Sequence, residues 1–229
     1  MTAPRAIART ALAALLLLAA CQPPASAAPE GTVNAPAASA PAQESPGLKQ
    51  AVFAGGCFWG VEAVFSHVRG VTSAVSGYHG GSGQQANYDT VSTGTTRHAE
   101  SVRVTYDPAV VHYDDLLRIF FSVVADPTQR DRQGPDTGPQ YRSALIPTNP
   151  EQARVATAYL AQLSTSGLWH DKIATRIETF RQFYPAETYH QDFMARNPAH
   201  PYIAYWDVPK VAALKALFPT RYKSDFTRN

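Results

Sequence analysis

The stretch AVFAGGCFWGVEAVF, Ala51 to Phe65, decides how this chain folds. Ala51 to Ala54 is a short apolar run stopped by Gly55-Gly56, and beyond Phe58 the apolar residues Val61, Val64, Phe65 and Val68 recur at helical spacing. This is a strand handed over to a helix, with Cys57 at the junction. A sulfur there sits beside unpaired backbone N–H groups and the positive end of the helix dipole, which favour thiolate over thiol. Gly55, Gly56 and Gly60 remove side chains that would block access from one side, and Phe58 and Trp59 offer flat apolar surfaces on the other. A core cysteine between core aromatics is the plainer alternative. Paired glycines at a strand-to-helix turn are poor core packing, so a reactive thiol beside a small apolar pocket is expected.

Working outward, Val71 to Ser76 reads as a second strand, followed by a Gly-rich loop from Gly77 to about Thr96. Ala99 to Tyr106 alternates cleanly, with Val102, Val104 and Tyr106 on one face and Ser101, Arg103 and Thr105 on the other. Tyr113 to Val124 is an apolar helix ended before Pro127, and Asp126 to Pro139 is a long irregular loop. Tyr141 to Ile146 is a short strand. Asn149-Pro150-Glu151 supplies an N-cap, a first-turn proline and an acid for a helix running to about Leu163. Lys172 to Phe180 reads as a strand, and Glu187 to Ala195 and Val208 to Leu217 as helices. The order through Ile146 predicts an α+β two-layer sandwich with a split β-α-β (ferredoxin-like) core, extra helices and a long C-terminal segment. The two long loops are placed to frame a site.

With 229 residues, 45% of them hydrophobic, the chain can bury one substantial domain. Its 20 basic residues less Arg5 and Arg9 leave 18 against 18 acidic ones, which excludes a polyanion-binding surface. Arg5, Arg9 and the apolar run ALAALLLLAA form an export signal over residues 1–20, too short to span a bilayer. The run ends in Leu18-Ala19-Ala20-Cys21, which resembles a bacterial lipobox, so Cys21 is the expected lipidation site; an ordinary cut near Ala25-Ser26-Ala27 would instead discard it. Residues 21–48, rich in Ala and Pro, are expected to be a disordered linker, and 49–229 a catalytic domain. Either cut leaves Cys57 as the usable thiol of a bacterial periplasmic protein, tethered to a membrane if Cys21 carries lipid.

GCFWG, Gly56 to Gly60, is the signature of the peptide methionine sulfoxide reductase A family, and the chain resembles that family along most of Gln50 to Pro219. The likeness extends to GYHGG (Gly77 to Gly81), NYDTVSTG (Asn87 to Gly94), HAESVRVTYDP (His98 to Pro108), the loop Asp126 to Leu145, and FYPAETYHQDF (Phe183 to Phe193). The resemblance implies thiol-dependent reduction of the S epimer of methionine sulfoxide, free or in proteins, through a Cys57 sulfenic acid. A sulfoxide oxygen leaves poorly as an anion, so a proton donor is required. Glu100 has the strand parity of Val102 and Val104, which turns it toward the apolar face, where desolvation keeps it protonated. The family assigns that role to this glutamate. By the same resemblance Tyr88 and Tyr141 hold the oxygen, Asp136 helps through a water, and Phe58 and Trp59 enclose the S-methyl group.

Arg97 and Thr137 depart from many relatives. So does the tail KALFPTRYKSDFTRN, which lacks a resolving cysteine. The sulfenic acid is therefore expected to be reduced by an external thiol: a thioredoxin-like protein, a glutaredoxin-like protein or a small molecule. No bound cofactor and no metal is expected, since the seven histidines show no ligand spacing. Partners are oxidised envelope proteins or free methionine sulfoxide and the thiol reductant, with no nucleic acid, and the chain is expected to be a monomer. Two rivals use the same residues otherwise: a cysteine hydrolase pairing Cys57 with His98, and a lipid-anchored module that only docks an apolar ligand on Phe58 and Trp59.

Overall fold

β1 (Lys49–Gly55) is apolar on both faces and takes the centre of the sheet. The computed structural model describes residues 32–228, so the leader and Cys21 lie outside the described residues. After β1 come α1 (Phe58–Ser66), β2 (Val71–His79), α2 (Tyr88–Val91), β3 (Ala99–Tyr106) and α3 (Tyr113–Ile119). The short hairpin β4 (Arg132–Gln133) and β5 (Asp136–Thr137) precedes β6 (Ser143–Ile146) and α4 (Pro150–Ser164). β7 (Arg176–Ile177), β8 (Phe183–Pro185), α5 (Phe193–Arg196) and α6 (Val208–Leu217) complete the chain.

The main sheet runs β7-β6-β1-β3-β2-β8. Its inner four strands, β6-β1-β3-β2, are antiparallel and carry the expected split β-α-β connectivity, with α1 crossing from β1 to β2 over β3. Phe53 and Val102 pair across β1 and β3 and join α1 and α3 in the large core, while Val52, Ala54, Ala144 and Ile146 form a smaller cluster on the opposite face. α1 has no side-chain cap and no first-turn acid. Burial of nearly its whole surface, from Phe58 and Gly60 through Ser66, is what stabilises it. α4 starts as the sequence predicts, with Asn149 accepting the Gln152 N–H and Pro150 in the first turn.

Four elements differ from the sequence reading. Glu187 to Ala195 is not one helix: a 3-10 turn at Thr188–His190 is separated from α5 by Asp192, whose φ of +52° breaks the helical path. The helix from Tyr113 keeps α geometry only to Ile119; Phe120–Val124 winds as a π-turn, with the Ala125 N–H donating to the Phe120 carbonyl at 3.0 Å. Of Lys172 to Phe180, only Arg176–Ile177 pairs, and it does so in parallel with β6 at the sheet edge.

The fourth difference is the linker. Residues 32–48 are an arm packed on the domain: Ala35 is buried, and the Val33 and Ala35 N–H groups donate to the Ser122 carbonyl and hydroxyl at 3.0 Å each. The Tyr159 hydroxyl and the Arg118 guanidinium donate to the Pro36 and Ala35 carbonyls. The arm ends in Glu44, whose carboxylate accepts from the Tyr106 hydroxyl and the Tyr113 N–H. A composition poor in apolar periodicity is ordered here because its backbone carbonyls and one acid find partners on the domain.

Candidate active site

Cys57 is the N-cap residue of α1, at the handover the sequence predicts, and is of intermediate exposure. The glycines around it serve close packing rather than access. A Cβ on Gly55 would stand 2.7 Å from the Phe120 ring, and one on Gly56, whose φ is +90°, 2.7 Å from Gln133 Cβ. Gln133 in turn ties the 126–139 loop together, accepting from the Asp126 N–H at 2.9 Å and donating to its carbonyl at 2.8 Å. Thus the paired glycines let that loop lie directly on the cysteine turn, which brings Asp136 into the site.

Glu100 on β3 is buried, as its parity predicts, and accepts the Phe58 N–H at 2.9 Å. Burial pushes its carboxyl up to about 8, against the opposing Phe58 N–H, so it is protonated at neutral pH. The thiolate expectation is corrected by the surroundings. Burial, then the carboxyls of Glu100, Asp207 and Asp136, push the Cys57 thiol up, and the Trp59 N–H pulls weakly the other way. One helix N-terminus does not outweigh desolvation among three acids, so the resting sulfur is a thiol.

Tyr88, Tyr141 and Asp136 gather around these two groups. Burial raises the hydroxyls of both Tyr88 and Tyr141, and the nearby Glu100 and Cys57 push the same way when ionised. Asp136 accepts a hydrogen bond from the Tyr202 hydroxyl, and burial raises its carboxyl. Trp59 is half-buried and stacks on Phe193 with centroids 3.7 Å apart and planes at 5°. Its indole N–H donates to His190 Nδ1 at 3.1 Å. Phe58 is 1% exposed, with its ring against Tyr78 and His190, and so forms a floor rather than a wall. Thr137 pairs with Arg132 in the small hairpin, and the Arg97 carbonyl accepts from Arg142 at 3.1 Å. Among the described residues no group of three or more His, Cys, Asp and Glu side chains is arranged to hold a metal ion.

Sequence reasoning missed the residues that hold Tyr88, Trp59 and α1 in place from behind. In ETYHQDF, Glu187 accepts the Tyr88 N–H at 2.9 Å and the Tyr78 hydroxyl at 2.8 Å, His190 receives Trp59, and Gln191 donates to the Ser76 carbonyl at 2.9 Å. The Asp192 N–H donates to the buried Glu62 on α1, which fixes the segment that carries Phe193. Tyr202 precedes and Asp207 closes the π-wound turn Ile203–Asp207, distant in sequence and carrying no motif signal that spacing could reveal. His98 is buried and anchors the Gly-rich loop, with Nδ1 accepting from the Gly81 N–H at 3.2 Å and Nε2 lying 2.9 Å from the Ser82 carbonyl. Both ring nitrogens are thereby engaged, which leaves neither to serve as the base of a cysteine hydrolase.

The chain is similar to known proteins along most of its described length. Residues 49–221 match the family model described as peptide methionine sulfoxide reductase. The peptide methionine sulfoxide reductase MsrA 2 of Mesorhizobium japonicum is 56% identical over 178 residues, covering 78% of this chain and 91% of the relative. The corresponding MsrA of Thermus thermophilus is 48% identical over 168 residues, 73% of this chain and 94% of its own. Among solved structures, methionine sulfoxide reductase A of Corynebacterium diphtheriae superposes with a TM-score of 0.58 at 30% identity, covering 74% of this chain and 90% of that one. A buried acid beside a helix-capping thiol, on this fold and with these relatives, leads to one conclusion: the chain belongs to the peptide methionine sulfoxide reductase A family and is an oxidoreductase, a peptide-methionine (S)-S-oxide reductase.

Proposed function

We propose that Cys57 is the nucleophile and Glu100 the proton donor of this reductase, and that an external thiol completes the cycle. The observation that carries the reading is the buried Glu100 carboxyl, which accepts the Phe58 N–H at 2.9 Å in the turn that begins at Cys57. The Cys57 sulfur attacks the sulfoxide while Glu100 delivers its proton to the oxygen. Tyr88 and Tyr141 hold that oxygen, Asp136 supports it through a water, and Trp59 over the Phe58 floor encloses the methyl group. Methionine leaves, the oxygen stays on Cys57 as a sulfenic acid, and the Glu100 carboxylate takes up the proton that the thiol sheds. Two electrons have passed from the cysteine sulfur to the methionine sulfur.

Cys57 is the one cysteine among the described residues, so no dithiol relay is available within them. An external thiol attacks the sulfenic acid to give a mixed disulfide and water, and a second thiol releases Cys57. A thioredoxin-like or glutaredoxin-like protein or a small thiol fits this role. The leader and Cys21 support a reading in which the enzyme works in the envelope of a bacterium, lipid-anchored, as a monomer repairing oxidised exported proteins. An N-terminus at Cys21 with an acyl mass, measured on protein from a bacterial host, is the expected result for the anchor; an unmodified N-terminus downstream of it removes the anchor. For the chemistry, one equivalent of sulfoxide without reductant should yield one equivalent of methionine and one dimedone adduct on Cys57. Methionine without an adduct, or an adduct elsewhere, would overturn the assignment.

A further inference from the structure

The carboxyl of Asp207 takes no part in the chemistry above, yet it is packed against the same turn. It closes the π-wound stretch Ile203–Asp207 and faces α1, its Oδ1 lying where a Cβ on Gly60 would stand, so only glycine at the third residue of that helix admits it. Asp207 is fully buried. Oδ1 lies 3.4 Å from Lys210 Nζ, and Oδ2 has no hydrogen-bond partner. A buried carboxyl with half its acceptors unused is costly to keep, and such groups in native proteins call for a functional account. Around it stand Lys210 from α6, Asp136 from β5, Tyr202 from its own turn and Cys57 from the start of α1.

Cys57 itself faces Glu100, Asp136, Asp207, the hydroxyls of Tyr88, Tyr141 and Tyr202, and the Trp59 N–H. Glu100 is neutral below about pH 8. Standing repulsion on a thiolate must therefore come from the aspartates. Burial raises both carboxyls; the Lys210 ammonium, 3.4 Å from Asp207, and the Tyr202 hydroxyl on Asp136 oppose that rise and favour the charged forms.

We propose that Asp207 is an electrostatic guard of Cys57: its carboxylate, seated on the first turn of α1 and paired with Lys210, keeps the thiol protonated while the site is empty. Electrophiles that need a free thiolate are thereby refused. A bound sulfoxide is not, because its reduction is coupled to the proton that Glu100 supplies. The inference rests on Cys57 as the nucleophile of the reductase reaction for its meaning, but the dimedone adduct formed with sulfoxide decides that role and alkylation decides the guard, so either can fail alone.

The test is the rate of Cys57 alkylation by iodoacetamide from pH 6 to 10, followed by intact mass on the chain with its arm and on Asp207→Asn. The guard predicts that the midpoint falls by about one pH unit in Asp207→Asn, which makes alkylation about tenfold faster at pH 7. Asp207→Ser must move the midpoint the same way. Loosened packing alone would raise the rate at every pH and leave the midpoint in place, and that result, or an unchanged profile in a folded variant, overturns the proposal. Where neither variant folds, a midpoint in the unsubstituted chain at or below that of free cysteine, about 8.5, still overturns the proposal.

Discussion

Replacing Glu44 by Ala tests whether the N-terminal arm is part of the fold. The Glu44 side chain is 4% exposed and its two oxygens are spent on separate partners, the Tyr106 hydroxyl at 2.5 Å and the Tyr113 N–H at 3.0 Å. Both tyrosines are fully buried, so neither donor finds water when the carboxylate is lost. Gln152 cannot substitute, because its amide already donates to the Tyr106 hydroxyl. Hydrogen bonds to a charged group contribute about 1.5–3 kcal/mol each, so even the lower bound gives a loss of about 3 kcal/mol. For a domain of this size that is roughly 6–12 °C in Tm. Thermal unfolding followed by circular dichroism at pH 7 measures it, and removal of residues 32–48 should cost at least as much. A Glu44→Ala shift below about 2 °C would refute the reasoning and return the arm to the status of a linker.

Further outcomes follow from the site. Glu100→Gln should slow single-turnover sulfoxide reduction by about 10²–10⁴-fold. In the unsubstituted enzyme the same rate should fall as Glu100 loses its proton through about pH 8, a limb absent from the variant; a rate rising through that range would remove Glu100 as donor. Glu187→Ala releases the Tyr88 N–H and the Tyr78 hydroxyl and should lower kcat/KM by about 10–100-fold, with the dimedone adduct still forming on Cys57. Burial raises the carboxyls of Glu62 and Glu100 from 4.5 to about 8 in the folded state. A folded value above the unfolded one means that their contribution to stability is complete below about pH 4.5 and is lost as pH rises through about 8. Stability measured by urea unfolding should therefore decline across that window, and Glu62→Gln should flatten the decline.

Much of this was legible in the chain itself because it is local. The two-residue period of Ala99–Tyr106 places Glu100 on the buried face, and the break at Gly55-Gly56 places Cys57 at the start of a helix. What was misread depends on contacts distant in sequence. The glycines of GGCFWG look like open access until Phe120, Gln133 and Asp207 are seen pressed against them. The thiolate expected from the helix dipole is lost first to burial and then to the carboxyls of Glu100, Asp207 and Asp136, the two aspartates arriving from 150 and 79 residues further along the chain (207 − 57 and 136 − 57). The arm was unreadable for a different reason: its Ala and Pro residues are held by backbone carbonyls and Glu44, which leave no apolar period to detect.

The most direct test of the central claim is turnover of the separate S and R epimers of N-acetylmethionine sulfoxide with dithiothreitol, by the chain retaining its arm and by Cys57→Ser. The account predicts reduction of the S epimer alone and its complete loss in the folded variant. Reduction that survives Cys57→Ser, or equal reduction of both epimers, would contradict it.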